Sequence, residues 1–453
     1  MSAEPEPREH TPVRASRRGF LGKAAGAAAV SAALFGAATE LASSSPATAA
    51  PTATTTEPGF YNVLDYGALG NGSHDDTTAI NDAIAAAQAN KYGGVVFLPV
   101  GQYVVTSPLV ITSSDILILG AGSLATMGAA GYSDGNATTI KPGATWAKGS
   151  ATQAACLLFD AVTAKKDVDR CGVERLTILG SNVPSTTQMH GIATYGYVGA
   201  FSVTGCIVGS IANTASAGII NLPSASGKGA TEQAQGCSII RNLVQDVGGD
   251  GYALASGDMT IEHSHAQGCG GNGFSVTGSA GDTRIANCRG DLSGLNGFYI
   301  DVPCTNYLGM VQLSNCSTQR NMLNGIRIAN TAKTESSPVY LTGCVFQGDG
   351  RIIADHANNA GIRLSGPVAA TITGCGVHVN TVDITAGVPH YAIVTASDGV
   401  APPVMLSMLG GFYNATKAFA DEVDAPVTSD VRVYSYAGSQ WTWDKTPKLR
   451  TSL

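Results

Sequence analysis

The chain has 453 residues and a formal net charge of −7, from 26 basic and 33 acidic residues. A chain this acidic that lacks a basic cluster argues against nucleic acid or an anionic membrane as its partner. Glycine is abundant, while charged residues make up only 13% and aromatic residues only 6% of the chain. This composition favours short strands joined by tight turns over a helical bundle, because Gly, Asn and Asp tolerate positive φ.

Residues 1–49 predict a signal peptide for twin-arginine export. Arg17 and Arg18 precede an Ala-rich apolar stretch, and Ala47–Ala49 offers a small-residue cleavage site. The apolar stretch is shorter than the roughly 20 residues that a membrane-spanning helix needs. We therefore expect a secreted, extracellular protein without a membrane anchor after cleavage, and a mature net charge of −8, because residues 1–49 contain five basic and four acidic residues.

A distinctive motif occupies residues 60–103. It combines the Gly-rich turn Gly70–Gly72, the run from Asp75 to Ile80, and a Gly-Gly-Val-Val-Phe-Leu-Pro sequence from Gly93 to Pro99. This pattern resembles the N-terminal entry module of the pectate-lyase-like superfamily, of the rhamnogalacturonase, polygalacturonase and epimerase type. The resemblance implies a right-handed parallel β-helix, an all-β solenoid, and leaves the chemistry open.

The same motif predicts an amphipathic helix. Asp75, Asp76 and Thr77 can cap and favourably charge a helix start. Apolar residues then recur with helical spacing on one face, at Ala79, Ile80, Ala83, Ile84 and Ala87. Because a solenoid exposes its core at an open end, we expect this helix to cap that end.

A repeat of about two dozen residues runs through the middle of the chain. Each unit has an apolar residue, a turn-type residue two places later, and a Gly-apolar pair ten places after the turn. Four units share this register: Ile239, Arg241 and Gly251-Tyr252; Ile261, His263 and Gly273-Phe274; Ile285, Asn287 and Gly297-Phe298; Leu313, Asn315 and Gly325-Ile326. Self-similarity at this period predicts a solenoid.

The repeat defines the expected domain organisation, which is one elongated domain. We predict a linker and then a single β-helix domain made of a capping module, coils and a C-terminal cover, with these bounds: linker 50–59, domain 60–453, module 60–103, coils about 104–436, cover 437–453. In the cover, Trp441 and Trp443 either close the open end of the solenoid or stack on a sugar.

Cysteines recur at one position of the repeat, just after the turn. They are Cys206, Cys288, Cys316, Cys344 and Cys375. A small residue recurring once per coil favours buried free thiols stacked along the solenoid, with disulfides as the alternative. The absence of paired Cys-x-x-Cys spacing argues against a zinc site.

Period-two alternation identifies outward-facing residues near the Gly-apolar pairs. If Phe298, Ile326 and Ile362 point inward, then Tyr299, Arg327 and Arg363 point outward and become neighbours on adjacent coils. Asp301 follows on the same face, and an insertion at 348–359 brings Arg351, Asp355 and His356. We predict the catalytic groove here, with Tyr299, Asp301, Arg327, Asp355, His356 and Arg363 as its candidate catalytic residues.

Two reactions suit these residues. For β-elimination on a uronic-acid polymer, Arg327 and Arg363 would neutralise the carboxylate while Tyr299 or His356 removes the adjacent proton. For hydrolysis, Asp301 and Asp355 would form the required carboxylate pair. The arginines favour the lyase, and ordinary solvated side chains on stacked strands remain an alternative.

A second outward row lies four residues after each turn. Its members are Gln245, Gln267, Asp291, Gln319, Gln347 and His378. Stacked amides favour a structural ladder, with a sugar-binding row as the alternative. His265 and Arg289 lie beside this row, so we predict His265, Arg289, Asp291 and Arg351 as substrate-binding residues.

The chain departs from the family's catalytic patterns. It lacks the polygalacturonase set of Asn-Thr-Asp, paired Asp, Gly-His-Gly and Arg-Ile-Lys, and Ala253 and Ala255 stand where the epimerase pattern needs Asp and His. No acidic set like the pectate-lyase calcium site is evident, so no cofactor is expected and calcium is only weakly suggested. Two interpretations remain: a polysaccharide lyase or glycoside hydrolase acting on an acidic polysaccharide, or a non-catalytic glycan-binding β-solenoid.

Overall fold

A computed structural model describes most of the chain from residue 59 onward. The described residues are 59–124, 136–224, 235–255, 258–277, 282–301, 310–331, 338–350, 360–366 and 368–378, followed by the strands at 391–396, 405–409, 412–413, 417–421, 434–437 and 440–443. They belong to one compact unit, Ala53–Leu453. The predicted signal peptide and most of the linker lie outside the described residues.

Three long sheets form the molecule, and their strands recur in the same order along the chain. Sheet A has twelve parallel strands: Phe60–Asn62, Gly94–Leu98, Ile116–Gly120, Gly172–Glu174, Ser202–Thr204, Cys237–Ile240, Met259–Glu262, Thr283–Ala286, Val311–Ser314, Val339–Thr342, Ala369–Thr373 and Met405–Leu409. Sheet C has eleven parallel strands: Leu109–Ile111, Ala155–Asp160, His190–Tyr195, Ile219–Leu222, Tyr252–Leu254, Phe274–Val276, Phe298–Asp301, Ile326–Ala329, Ala360–Ser365, Tyr391–Ala396 and Lys417–Asp421.

Sheet B lies between these two in chain order and has fourteen strands. They are Asn71–Asp75, Gly101–Val105, Thr138–Pro142, Thr177–Leu179, Ile207–Ile211, Leu243–Val247, His265–Gln267, Arg289–Asp291, Ser317–Gln319, Val345–Gln347, Gly376–His378, Phe412–Tyr413, Tyr434–Ala437 and Gln440–Trp443. Only the last pair is antiparallel. A small two-stranded sheet joins Val168–Asp169 to Val198–Gly199. The predicted parallel β-helix is therefore confirmed.

The final strand contains Trp441 and Trp443. Because their side chains lie outside the described part of the structure, the covering role stays a prediction.

The helix of the N-terminal module, α1, spans Thr77–Ala89, and a 3-10 helix, Val63–Tyr66, precedes it. All five predicted apolar positions of α1 are buried, and α1 packs against the strands Phe60–Asn62, Gly94–Leu98 and Leu109–Ile111. A second, short helix spans Ala161–Ala164. Among the residues that the structure describes, no helix is long and apolar enough to cross a membrane.

The two aspartates at the start of α1, Asp75 and Asp76, have different hydrogen-bond partners. Asp75, one residue before the N-cap position, accepts hydrogen bonds from the Thr77 amide at 3.1 Å and from the Thr77 hydroxyl, as in an Asx turn. Asp76 occupies the N-cap position without a side-chain cap bond. Its buried carboxylate instead accepts from the amides of Leu69 at 2.7 Å and Gly70 at 3.2 Å. Neither aspartate therefore makes the side-chain bond of an N-cap: Asp75 forms the Asx turn, and Asp76 holds the Gly-rich turn.

The turn position of the repeat adopts the left-handed conformation. Its φ is +57° at Arg241, +51° at His263, +54° at Asn287 and +51° at Asn315. Two further units place Gly205 and Gly343 there, each at +64°. Since this region costs most L-residues about 1–2 kcal/mol and glycine nothing, it explains the turn-type residues that the sequence shows here.

The aromatic position of the repeat forms a stack inside the solenoid. The ring centroids of Tyr252 and Phe274 are 4.5 Å apart with planes at 1°, and those of Phe274 and Phe298 are 4.8 Å apart at 12°. These distances match the spacing of adjacent strands. The glycine before each ring is needed for close approach, since an added Cβ at Gly297 would lie 2.8 Å from the Gly325 carbonyl oxygen.

A polar ladder that the repeat pattern did not predict runs beside this stack. The residue before the glycine of each unit accepts hydrogen bonds from the next coil, with Asn272 Nδ2 to Asp250 Oδ1 at 3.2 Å, Asn296 Nδ2 to Asn272 Oδ1 at 2.8 Å, and Asn324 Nδ2 to Asn296 Oδ1 at 2.8 Å. Backbone amides donate to the same oxygens. We call Asp250, Asn272, Asn296 and Asn324 the Asx ladder. It satisfies buried polar groups that would otherwise be costly.

The cysteine prediction is also confirmed within the described residues. Nine cysteines there are free and buried. Several of these thiols donate to a backbone carbonyl, as Cys288 does to Ile261 at 3.5 Å and Cys316 does to Ile285 at 3.5 Å. These thiols fill the core as small apolar side chains do.

Candidate active site

The predicted outward row is brought together on sheet C. The strand register pairs Ser275 with Tyr299, Tyr299 with Arg327, and Arg327 with Arg363. We call Tyr299, Arg327 and Arg363 the Tyr-Arg row. Adjacent members lie on strands separated by about 4.8 Å, so the row aligns a phenol and two guanidinium groups along the solenoid axis. Of the three residues predicted to face outward, Arg363 is buried.

Within the row, the cation and the aromatic ring are in contact. The guanidinium carbon of Arg327 lies 5.8 Å from the centroid of the Tyr299 ring, within the range of a cation–π interaction. Tyr299 and Arg327 are half-buried, whereas Arg363 is only 5% exposed. Burial of this kind strengthens the attraction between a guanidinium group and an anionic ligand, because less water screens the charges.

Asp301 lies on the same strand as Tyr299, and its carboxylate is already hydrogen-bonded within the protein. Its side chain is 8% exposed. One carboxylate oxygen accepts from the Thr331 amide at 3.0 Å, and the other accepts from the Thr331 hydroxyl. The carboxylate thus ties together the ends of two neighbouring strands, which favours a structural role over that of a catalytic acid.

Three candidates, Arg351, Asp355 and His356, lie outside the described residues. The structure therefore leaves the predicted Asp301 and Asp355 pair untested, together with the proton-accepting role of His356 and the substrate-binding role of Arg351.

The second predicted row is in register on sheet B, where Gln267, Asp291 and Gln319 align. Asp291 is 3% exposed and pairs with both neighbours: Oδ2 lies 3.2 Å from His265 Nε2 and contacts Arg289 Nε. Arg289 Nη2 also donates to Gln319 Oε1 at 2.9 Å. These contacts favour the structural interpretation of Asp291, while the half-exposed Arg289 stays a candidate for substrate binding.

A cavity that sequence reasoning missed opens upstream on the same face. It has a volume of about 450 Å³ and is lined by thirteen residues that include His190, Ser216, Ile220, Asp250 and Ala253. Ile220 and Ala253 are paired on adjacent strands of sheet C, so the cavity lies over the same sheet that carries the Tyr-Arg row. We call it the His190 pocket.

The two titratable groups of the His190 pocket respond to burial in opposite directions. Burial lowers the pKa of His190, which is 4% exposed, to about 4, so its imidazole is neutral at ordinary pH. Burial raises the pKa of Asp250, and hydrogen bonds from Asn272 and Ser275 offset only part of that increase. The repeat could have indicated these two residues. His190 and Asp250 each precede the glycine of a Gly-apolar pair, which is the position that Asn occupies in later units.

Among the described residues, no group of three or more His, Cys, Asp or Glu side chains is placed to hold a metal ion.

The stacked parallel sheets and the N-terminal module define a parallel β-helix of the pectate-lyase-like type. The family described as rhamnogalacturonase A/epimerase, pectate lyase-like, matches residues 60–297, more than half of the chain. The chain belongs to that family.

Curated proteins resemble the chain in sequence over a short segment. Mannuronan C5-epimerase AlgE5 of Azotobacter vinelandii is 47% identical over 68 residues, which are 14% of this chain and 7% of the epimerase. The chain spans less than a tenth of the length of the curated relatives that it matches first.

Two solved structures share the fold over most of the chain. The A-module of mannuronan C-5 epimerase AlgE4 from A. vinelandii has a TM-score of 0.53 at 19% identity, covering 82% of this chain and 99% of the module. A 1,3-α-1,4-β-D-galactose-4-sulfate-3,6-anhydro-D-galactose-2-sulfate 4 galactohydrolase has a TM-score of 0.52 at 13% identity, covering 80% of this chain and 96% of that one. At these identities the likeness shows the fold alone.

Proposed function

We propose that the protein is a secreted polysaccharide-active enzyme, exported by the twin-arginine route, that cleaves an acidic polysaccharide by β-elimination on sheet C. One observation carries this proposal: the register places Tyr299, Arg327 and Arg363 side by side on three consecutive strands. Family membership supports a polysaccharide substrate, and the two arginines favour one that carries carboxylates.

The residues of the Tyr-Arg row suit the steps of the reaction. Arg327 and Arg363 neutralise the carboxylate of a uronate residue, which makes the adjacent C–H bond more acidic. Tyr299, as the phenolate beside the Arg327 guanidinium group, accepts that proton. The C–H electrons form a carbon–carbon double bond, and the glycosidic C–O bond to the leaving sugar breaks. The proton that Tyr299 accepted then passes to the leaving oxygen, which restores the phenolate.

Hydrolysis is the second candidate reaction, and the structure favours it less. It requires two carboxylates flanking the scissile bond, yet both oxygens of Asp301 accept hydrogen bonds from Thr331. The fold does not decide between the reactions, because an epimerase module and a galactohydrolase both share it.

Product analysis tests the proposal. Incubation of the protein with plant, algal and bacterial polysaccharides, charged and uncharged, is expected to give unsaturated, ultraviolet-absorbing products from an acidic polymer. New reducing ends without that absorbance would replace the lyase with a hydrolase. Binding without any product across the panel would instead support a non-catalytic glycan-binding solenoid and overturn the enzyme proposal.

A further inference from the structure

Four buried thiols are stacked in the coils that carry the Tyr-Arg row. Each belongs to a cysteine that immediately precedes a strand of sheet B, and these strands are in register. We call the four cysteines the thiol ladder: Cys288, Cys316, Cys344 and Cys375. They are at most 1% exposed. Adjacent members lie on neighbouring strands, which are about 4.8 Å apart.

Three of the ladder thiols donate a hydrogen bond to the same place in the preceding coil. The contacts are Cys288 to the Ile261 carbonyl at 3.5 Å, Cys316 to that of Ile285 at 3.5 Å, and Cys344 to that of Leu313 at 3.7 Å. The three carbonyls belong to residues that are aligned in register on sheet A. Because a carbonyl only accepts, each sulfur is present in the folded protein as an S–H group.

Contact and burial also make the folded thiols poor nucleophiles. Hydrogen bonding with the Cys288 thiol and burial raise the pKa of Cys316 to about 12. Hydrogen bonding with the Cys316 thiol and burial raise the pKa of Cys344 to about 12 as well. The thiolate is the form that attacks a disulfide, and an unperturbed cysteine has a pKa of about 8.5. These thiols are therefore inert in the folded protein and reactive in the unfolded chain.

A disulfide does not fit the ladder. Since the thiols make the same contact in successive coils, their sulfur atoms repeat at the strand spacing of about 4.8 Å, whereas an S–S bond is about 2 Å long. Bond formation would turn at least one side chain away from its place and remove two S–H donors. The chain has ten cysteines, and most of the pairings open to the unfolded chain join cysteines whose coils are not neighbours.

We propose that the thiol ladder makes folding conditional on a reducing medium: the coils that carry the Tyr-Arg row form only from the reduced chain and, once formed, resist oxidants. The competing reaction in the unfolded chain is thiol–disulfide exchange with a disulfide oxidant such as glutathione disulfide. Two cysteine thiols form an S–S bond, the S–S bond of the oxidant breaks, and the two thiol protons pass to the two glutathione thiols that are released.

This dependence gives the proposed export route a physical reason, and that part of the inference rests on the function proposed above. Disulfides form and persist outside the cytoplasm, where the medium is oxidising. The twin-arginine route carries folded proteins. A chain that must bury its thiols in the reduced form can therefore fold in the cytoplasm and leave it with the ladder already closed.

Serine is a conservative replacement, because it already occupies this position in one coil. Ser264 precedes His265, which is paired with Arg289, the residue after Cys288. The Ser264 hydroxyl donates to the Ile239 carbonyl at 3.4 Å, as the Cys288 thiol does to Ile261. The ladder variant replaces all four ladder cysteines by serine. The matched control has the same number of replacements at buried cysteines outside the ladder: Cys156→Ser, Cys171→Ser, Cys237→Ser and Cys269→Ser.

Refolding of the full chain from urea, with either dithiothreitol or glutathione disulfide, tests the proposal. Circular dichroism and the thermal unfolding transition measure the folded fraction. We expect wild type and the control variant to refold with about tenfold higher yield in the reductant, and the ladder variant to lose most of that difference. Folded wild type, incubated with the same oxidant, should keep its thermal transition and all its thiols, counted after denaturation.

Three outcomes overturn the proposal. They are equal refolding of wild type in both media, folded wild type that contains a disulfide between ladder cysteines, and rapid oxidation of the folded protein. An unchanged redox dependence in the ladder variant would assign the effect to other cysteines and overturn the role of the ladder. None of these measurements uses turnover, so a protein that gives no unsaturated product rejects the lyase alone.

A signal exchange in a bacterial host tests the link to export. Residues 1–49 are replaced by a signal for the general secretory route, which exports unfolded chains. We expect wild type to reach the oxidising compartment without folding there, and the ladder variant to yield folded protein. Folded, exported wild type from this route would overturn the need to fold before export. Failure of residues 1–49 to export any protein would reject the twin-arginine proposal and leave the refolding result standing.

Discussion

Arg327→Ala is expected to lower kcat/KM on the acidic polysaccharide by about 100-fold or more, since removal of one charge-stabilising donor typically costs 10²–10³ in rate. Arg327 lies between Tyr299 and Arg363 in the register and has its guanidinium over the Tyr299 ring. Its loss removes the central positive charge of the row. Arg327→Lys should recover only part of the activity, because an ammonium group keeps the charge but loses the planar two-point contact with a carboxylate.

Steady-state kinetics with the ultraviolet-absorbing product measures this effect. Arg284→Ala serves as the control for a lost arginine, and thermal unfolding confirms that each variant is folded. Tyr299→Phe should reduce kcat more than KM, because the phenol acts on the reacting proton. Wild-type kinetics in both folded Arg327→Ala and Tyr299→Phe would show that the groove assignment is wrong.

Asp349→Asn is expected to stabilise the protein at pH 8 and to change stability little near pH 4. Asp349 is fully buried: Oδ1 accepts from the Asn321 amide at 3.0 Å and from Asn321 Nδ2 at 2.8 Å, and Oδ2 accepts from the Thr318 hydroxyl at 2.5 Å. Burial raises the pKa of its carboxyl from 3.8 to about 7. An asparagine can keep these contacts, with its amide nitrogen donating to Thr318, and carries no charge.

The sign of the pH effect follows from proton binding. Between about pH 4 and pH 7 the folded state holds the Asp349 proton and the unfolded state has released it, so the free energy of unfolding of wild type falls as pH rises. At about 1.4 kcal/mol per pKa unit, the loss is roughly 4 kcal/mol and is complete above pH 7.

Denaturant unfolding of wild type and Asp349→Asn from pH 4 to pH 8 measures the difference. The pair isolates Asp349, because His190 and the other groups titrate alike in both proteins. Parallel stability profiles would contradict a protonated, buried Asp349.

The repeat made the coil and its faces predictable. Ile239, Ile261 and Ile285 recur at one offset, and period two then placed Tyr299 and Arg327 outward, where the register confirms them as neighbours. The prediction succeeded because stacked coils convert sequence offsets directly into spatial neighbours.

Side-chain partners were harder to predict. The alternating pattern predicted that Asp301 points outward. It did not indicate that Thr331, from the next coil, would donate hydrogen bonds to both carboxylate oxygens of Asp301. Asp291 was likewise predicted as a substrate ligand, whereas its carboxylate contacts the side chains of His265 and Arg289. Hydrogen-bond geometry depends on rotamers, which spacing does not specify.

The His190 pocket was missed for a different reason. Its wall comes from several successive coils. One of them departs from the regular offset, because Gly218 follows the turn residue Gly205 by thirteen places rather than ten. Such a cavity depends on how turns of unequal length stack, and a repeat register describes only what the coils share. The residue before each glycine was nevertheless visible as His190, Asp250 and the later asparagines.

A structure of Tyr299→Phe with a bound acidic oligosaccharide tests the central claim most directly. We predict that the sugar chain lies along sheet C and that a uronate carboxylate is within hydrogen-bond distance of the Arg327 or Arg363 guanidinium group. An oligosaccharide bound along the sheet B row of Gln267 and Gln319, or with its carboxylates away from both arginines, would contradict the account.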